Sequence, residues 1–490
     1  MLTGIKNLFF KNRGLRQTVI KNIFWLFLAE IIARLTGLFL VVFAARMLGA
    51  NEYGKFTFAL SFATILLIIS DLGITDISTR EFSRDKEGEK KFNTIFSLEI
   101  FLCCFALLFS FVASFFITQD VVMRQMILIL TVFVLINSVF GIFFSFFRSR
   151  HNMEYEAMIK VAQSILGALC IIPIIFYFPS AKNLSLGYLL GNILIIISTV
   201  FIFHLFFQKL NLKLHKESFS ILKDSWPLSF GFMAGWLYIY IDSILLGYFN
   251  FITENGWYGA ASRIAIASII PANLVVKSFY PLMSNFFISS TEKLKRAFDY
   301  LMQAMIFLAF PIVTASFALA SNLIPYVYGR DFIPAVLPFQ ILIVVVALNF
   351  INYPYAIMLI ISDHQKKNFY IMLAGAIFNT VLDILLIPAY GIYGVVTVTL
   401  SSSILVLLST MLLAKKLSPI RLFDINMLKI VAVSAFSSTL MFLMLQWCLY
   451  YRINIFLDCF LGGMVYLTVF YISYAVVFKK NILKLKDILR

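Results

Sequence analysis

Charge is what this sequence has least of. Asp, Glu, Lys and Arg supply 13% of its 490 residues, about half the quarter usual in a soluble protein. Apolar residues make up 61% and the mean hydropathy is +0.93. So little charge cannot cover a chain of this length in water. Its solvent is therefore lipid, which a helix crosses on about 20 consecutive, mostly apolar residues. Such stretches recur from end to end, and no polar segment between them is long enough for a separate soluble domain. Also lacking are a Walker-type glycine loop, an HExxH and a nucleophile elbow, which leaves phosphate cradling and hydrolysis without their usual motifs. The chain reads as a transporter and not an enzyme. Its energy would come from H+ or Na+ coupling, the membrane potential or the cargo's own downhill flux.

Cysteine is sparse and scattered. Cys103, Cys104, Cys170, Cys448 and Cys459 lie inside or at the ends of apolar stretches, without CxxC spacing or a nearby His. They read as inert buried thiols. His151, His204, His215 and His364 indicate no metal site. The N-terminus lacks the ordered n-region, short apolar core and small-residue cleavage site of a signal peptide, so the first apolar stretch is taken as a retained span.

Basic residues outnumber acidic ones, 40 to 24, for a net charge of +16. Their placement argues against nucleic acid, because they fall in short clusters at alternate loops, as the positive-inside rule requires. Reading apolar runs between charged breaks predicts an all-α integral membrane protein of about fourteen spans. The first six are 19–47, 56–77, 92–117, 125–147, 157–178 and 184–207. The next six are 221–248, 257–287, 294–320, 335–361, 368–388 and 392–414, and the last two 425–450 and 453–478. With both termini cytoplasmic, thirty-one Lys and Arg fall on the inside, including Lys160, and only Arg46, Lys55, Arg124, Lys182, Arg330 and Arg452 outside. Arg34, Arg263 and Lys277 remain within spans. A miscounted helix would flip every later loop and scramble this separation.

A faint internal repeat accompanies the spans. Leu48-Gly49 followed by Glu52-Tyr53-Gly54 has a counterpart in Leu246-Gly247 followed by Glu254 and Tyr258-Gly259. Duplicated transporter folds have this form. The expected division is a six-helix lobe over 1–208, a second over 209–416, and two further helices with a basic tail over 417–490.

Ionisable residues within spans are costly in lipid and ordinarily face a polar cavity or a partner. Glu30 and Arg34 are four apart on one helical face. They form either a self-neutralising pair between helices or a cavity Arg34 oriented by Glu30. Asp242 lies toward the outer end of the seventh span. Arg263 and Lys277 flank Pro271 in the eighth, where a kink would suit a hinge on a water-filled path, unless Arg263 snorkels to the surface. Asp71 and Asp76 sit near the inner end of the second span, as interfacial charge balance or gate. Asp383 is open between helix partner and gate. Arg148 and Arg150 mark the inner surface or meet phosphate at the cavity mouth. The three cations within spans suit an anionic cargo.

The string Arg46-Met-Leu-Gly-Ala-Asn-Glu-Tyr-Gly54, with Asp71-Leu-Gly-Ile74 and Arg80, resembles the start of bacterial polysaccharide flippases of the O-antigen type. Gly375-Ala-Ile-Phe-Asn379 through Ile387-Pro-Ala-Tyr-Gly391-Ile-Tyr-Gly394, and Tyr328-Gly-Arg-Asp-Phe332 with Leu337 and Gln340, are similar to further blocks of that family. The resemblance implies a MATE-like fold of the MOP exporter superfamily, two six-helix lobes plus two helices, in the bacterial inner membrane. It implies translocation of an undecaprenyl-diphosphate-linked oligosaccharide to the periplasmic leaflet, with Arg34 and Lys277 meeting the diphosphate. A polysaccharide polymerase and a chain-length regulator would be its partners. The alternatives are a cation-coupled multidrug exporter of the same fold or a flippase for another lipid-linked glycan precursor.

Overall fold

The computed structural model describes residues 14–84, 89–212, 216–418, 425–451 and 454–478. Lys6, Lys11, Arg13, Lys86, Lys213, Arg421, Arg452 and the basic tail from Lys479, which entered the topology argument, lie outside the described residues. Every regular element among the described residues is helical.

The first helix, α1 (Leu15–Ile65), holds two spans joined at Gly49, whose φ of 73° and ψ of 172° are non-helical. Positive φ carries little cost only at glycine, and this one lets a 51-residue helix turn. The second span then continues as α2 (Leu67–Asp71) and α3 (Ile74–Arg84). Next come α4 (Glu89–Ile117), α5 (Val121–Ser149), α6 (Met153–Tyr177) and α7 (Ala181–Phe206). Then follow α8 (Lys216–Tyr248), α9 (Ile252–Ala267), α10 (Ile270–Ser289) and α11 (Thr291–Tyr328). After a 3-10 turn at Arg330–Ala335, the chain finishes with α12 (Val336–Ile361), α13 (Gln365–Leu417), α14 (Ile425–Tyr450) and α15 (Ile455–Phe478). Like α1, α13 bends at a glycine, Gly391 (φ 53°), in mid-length.

Among the described residues eleven helices are long and apolar enough to cross a membrane. The first and the 53-residue α13 each hold two spans, and α8 adds one more, which agrees with the fourteen expected from the sequence. Their outward faces are apolar: Phe116, Phe206 and Ile288 are 81%, 76% and 88% exposed. Such a surface belongs in hydrocarbon. This is a multi-pass membrane protein.

Three local features differ from the sequence reading. The second span is broken where a continuous helix was expected, because Leu72 and Gly73 both take positive φ, 39° and 76°. The eighth span breaks at Ser268–Ile269, and Pro271 lies in the first turn of α10. There its missing N–H costs no helical bond, so the break precedes the proline and no kink forms at it. Lys160, counted with the loop charges, stands in the second turn of α6.

The helices form two compact units, Met1–Gly256 and Trp257–Arg490. The first is knitted by phenylalanine. Phe92 stacks on Phe203 at 4.7 Å, and Phe143 and Phe146 meet Phe203 edge-on at 5.0 Å. In the second, α14 and α15 pack on α11. The Tyr466 hydroxyl donates to the Phe307 carbonyl at 2.8 Å, and Phe470 meets the Phe307 ring at 4.6 Å.

Within the first unit the repeated segments touch. A Cβ on Gly54 would lie 1.9 Å from the Ile252 carbonyl oxygen, and one on Gly256 2.0 Å from that of Ala50. Asn255 donates from Nδ2 to the Gly54 carbonyl at 3.1 Å and accepts from Ser243 Oγ at 2.7 Å. The second copy turns at Asn250 (φ 65°) and not at Gly247, where a Cβ would strike the Phe58 ring. Gly256→Ala forces backbone to move, at about 1–3 kcal/mol for overpacking. It should lower the unfolding temperature of the purified protein. Gly167→Ala, with nothing within 4 Å of the new carbon, should leave that temperature unchanged or slightly raised.

Candidate functional site

A line of charge crosses three helices of the first unit. Arg34 on α1 donates from Nε to Glu30 Oε1 at 2.7 Å, with side chains 58% and 46% exposed. Lys160 on α6 stands 3.9 Å from Glu30 Oε2 and 3.0 Å from Glu156 Oε1. Arg148, at the end of α5, grips Glu156 with both prongs, Nε to Oε2 at 2.8 Å and Nη2 to Oε1 at 2.6 Å. The two-pronged fit is specific to guanidinium. Glu156 is fully buried beneath its two cations.

Three cations face two carboxylates along this line. The surplus positive charge falls where Arg148 and Lys160 share Glu156, while Arg34 is matched by Glu30. Exposed charge within a membrane span is stable only beside polar space. On α1 this pair is exposed, and among the described residues the guanidinium bonds only through Nε.

At the break in the second span lies a cavity of about 360 Å³. Asp71, Thr75, Asp76, Asn137, Ser138 and Trp236 contribute to its wall. The Asp71 carboxylate caps α3 by accepting from the Thr75 amide at 2.9 Å. Ser145 Oγ donates to the Thr75 carbonyl at 3.0 Å. The Asp71 bond satisfies an amide that the break releases, and the Ser145 bond ties α5 to the first turn of α3.

The remaining residues singled out from sequence are placed as follows. Asp242 is 1% exposed on α8 in the first unit. Arg263 is partly buried on α9, Lys277 is exposed on α10 and Asp383 is fully buried on α13, all in the second unit. Glu30, Arg34 and Arg148 are brought into one network, and Asp71 lies at the separate cavity. Sequence reasoning missed Glu156 and the bridging role of Lys160. Their four-residue spacing repeats that of Glu30 and Arg34 and was available as a signal. It also missed Glu99, a lone carboxylate in the apolar run of α4, and the buried pair of Lys21 with Glu154 at 2.9 Å. Among the described residues no group of three His, Cys, Asp or Glu could hold a metal.

The family model for "Polysaccharide biosynthesis protein" matches residues 19–287, more than half of the chain. A search of curated protein sequences finds no match. Among solved structures the chain is similar to "Lipid II flippase MurJ, inward closed conformation", with a TM-score of 0.75 at 15% identity. That likeness covers 94% of this chain and 99% of the other. It is also similar to inward-facing and outward-facing multidrug resistance MATE family transporters of the MOP superfamily. The inward-facing structure has a TM-score of 0.62 at 14% identity and covers 79% of this chain and 95% of its own. The outward-facing one scores 0.53 at 16% identity and covers 81% and 95%. At these identities the likeness establishes the fold, that of the MOP superfamily.

The Lys21–Glu154 pair is 1% and 8% exposed, so removing one member strands a buried charge. Glu154→Ala is expected to cost about 3–5 kcal/mol. The paired apolar change Lys21→Met with Glu154→Leu should recover most of that loss. Thermal unfolding of the three purified proteins checks both.

Proposed function

The chain belongs to the polysaccharide biosynthesis protein family, and from that premise we propose that it flips undecaprenyl-diphosphate-linked O-antigen repeat units across the bacterial inner membrane. The observation that carries the reading is the Arg34 guanidinium, exposed on a membrane span and bonded to Glu30 through Nε alone among the described residues. A lipid diphosphate presents paired anionic oxygens, and its sugar head cannot cross about 30 Å of hydrocarbon unaided. Arg34 grips one phosphate while Glu30 holds the guanidinium in orientation. Lys160 and Arg148, neutralised in part by Glu156, continue the polar track toward the cytoplasmic mouth.

Lobes 1–208 and 209–416 rock about the cargo to expose it to one leaflet at a time, with 417–490 as the appended pair. Arg263 and Lys277 supply cations from the second lobe. Asp242 borders the cavity, and Asp71, Asp383 and the break before Pro271 gate it. H+, Na+ or the membrane potential drives the cycle. Both termini are cytoplasmic, and a polymerase and a chain-length regulator receive the flipped unit. The similarity to a lipid II flippase supports this class of cargo and keeps another lipid-linked glycan precursor as the near alternative. A cation-coupled drug exporter shares the fold, but it calls for an acidic cavity, and the line described here is cationic.

The test is complementation of a deletion in the host. Arg34→Ala removes charge-assisted hydrogen bonds of about 1.5–3 kcal/mol, so at matched protein level surface polymer should fall about tenfold or more. Arg34→Lys should retain part of it, because an ammonium keeps the charge and loses the fork. Lys277→Ala should reduce polymer as well. Normal polymer from both alanine variants sinks the cationic-site reading. Unchanged polymer on deletion, with new sensitivity to cationic dyes, favours the exporter.

A further inference from the structure

Glu99 is a buried carboxylate that the charged line does not use. It sits on α4 with no exposed surface. Its Oε1 accepts the Ser138 hydroxyl at 2.5 Å, with the Cys103 thiol 3.9 Å away. Among the described residues its Oε2 has no hydrogen-bond partner and no cation pairs with it. Phe96 and Leu102, three residues to either side on α4, are buried members of the apolar cluster of this unit. An isolated carboxylate charge in such surroundings is costly, and carboxyls within membranes commonly serve as proton sites.

What distinguishes Glu99 from an inert buried acid is its place behind the helix break. Ser138, its donor, also lines the 360 Å³ cavity, as do Asp71, Leu72 and Gly73 of the broken span. Ser70 Oγ donates in turn to Ser138 Oγ at 3.2 Å. A hydroxyl chain thus joins the cavity wall to the buried carboxyl. Interrupted spans with polar walls are a recurrent setting for coupling-ion sites in transporters.

The groups facing Glu99 can be named for each neighbouring element. Asp71 faces it from the end of α2, and Cys103 lies one turn along its own helix. α3 supplies Asp76, α5 Ser138 and α8 Trp236 to the cavity wall. The nearby cations are engaged elsewhere: Arg80 and Lys91 pair with Glu81, and Arg148 with Glu156.

We propose that Glu99 is a proton-binding site, loaded and unloaded from the cavity at the break of the second span through Ser138. With the proton bound, the carboxyl is neutral and the apolar side chains around it are undisturbed. For release the Ser138 hydroxyl turns to accept the carboxyl's proton and passes its own hydrogen to water entering the cavity, and a negative charge appears on Glu99 beside Asp71. That charge opposes the Asp71 carboxylate which caps α3, loosens the cap and lets the break move. The inference deepens the coupling left open above and rests on the transporter reading, although its test needs no cargo.

The experiment is infrared difference spectroscopy on the full-length protein in proteoliposomes, taken between about pH 5 and about pH 9. The wild type should show a protonated carboxyl stretching band that disappears as pH rises. E99Q should lose that band. S138A, which keeps the acid and removes its hydrogen-bond donor, should shift the band and leave it titrating. A band that survives in E99Q overturns the assignment, as does one that does not respond to pH or to S138A. Displacement of the band by sodium at fixed pH also overturns it, in favour of a metal cation at the same carboxyl. A flipping defect is read separately: failure to move any lipid-linked glycan, with the Glu99 band intact and titrating, removes the cargo reading and leaves the proton site standing.

Discussion

Hydrocarbon offers no hydrogen bonds, and that single fact orders the whole molecule. A backbone amide or a charged side chain that meets lipid without a partner costs several kcal/mol. Helices therefore carry every described span. Where the backbone departs from the helix at the break of the second span, the Asp71 carboxylate supplies a bond to a released amide. The same cost acts on side chains. Several charges meet it with partners, as Glu156 beneath Arg148 and Lys160, Lys21 with Glu154, and Arg34 with Glu30.

From that constraint the division of labour follows. Phenylalanine does two jobs in this chain. Phe116 and Phe206 face outward, where lipid replaces water as solvent. Phe92, Phe143, Phe146 and Phe203 interlock within the first unit through edge-on and stacked contacts. Such a rigid aromatic cluster holds α4, α5 and α7 as one body. The charged line on α1, α5 and α6 is made by side chains that take no part in that cluster. The cavity at Asp71 lies beside Ser138, the donor to Glu99, so a charge change at Glu99 acts on a stretch of span that is already broken.

The architecture was legible because lipid makes few demands and makes them everywhere. Length and hydropathy of each run, checked against alternating loop charge, located the spans. Gly49 and Gly391, read within family-like strings, mark the two places where a single long helix turns back. The spacing of Glu30 and Arg34 put both on one face, and the structure shows them bonded. Less legible were departures that depend on a neighbour. Leu72 gives no sign of a positive φ in a run of apolar residues. Lys160 looked like a loop charge because it stands only two turns from the helix start. Its reach to Glu30 depends on how closely α6 lies against α1.

By itself the sequence determined that the chain lives in a membrane, that its spans are helical and which residues would be costly there. Those properties depend on composition and on order along one chain, which hydrophobic transfer reads residue by residue. Only the tertiary structure decided which costly residues share their burden. Glu156 meets Arg148 from another helix, Lys21 meets Glu154 across 133 positions, and Glu99 has Ser138 as its donor. A partner from a distant segment is a matter of tertiary packing, and packing distances are not written in the order of the residues.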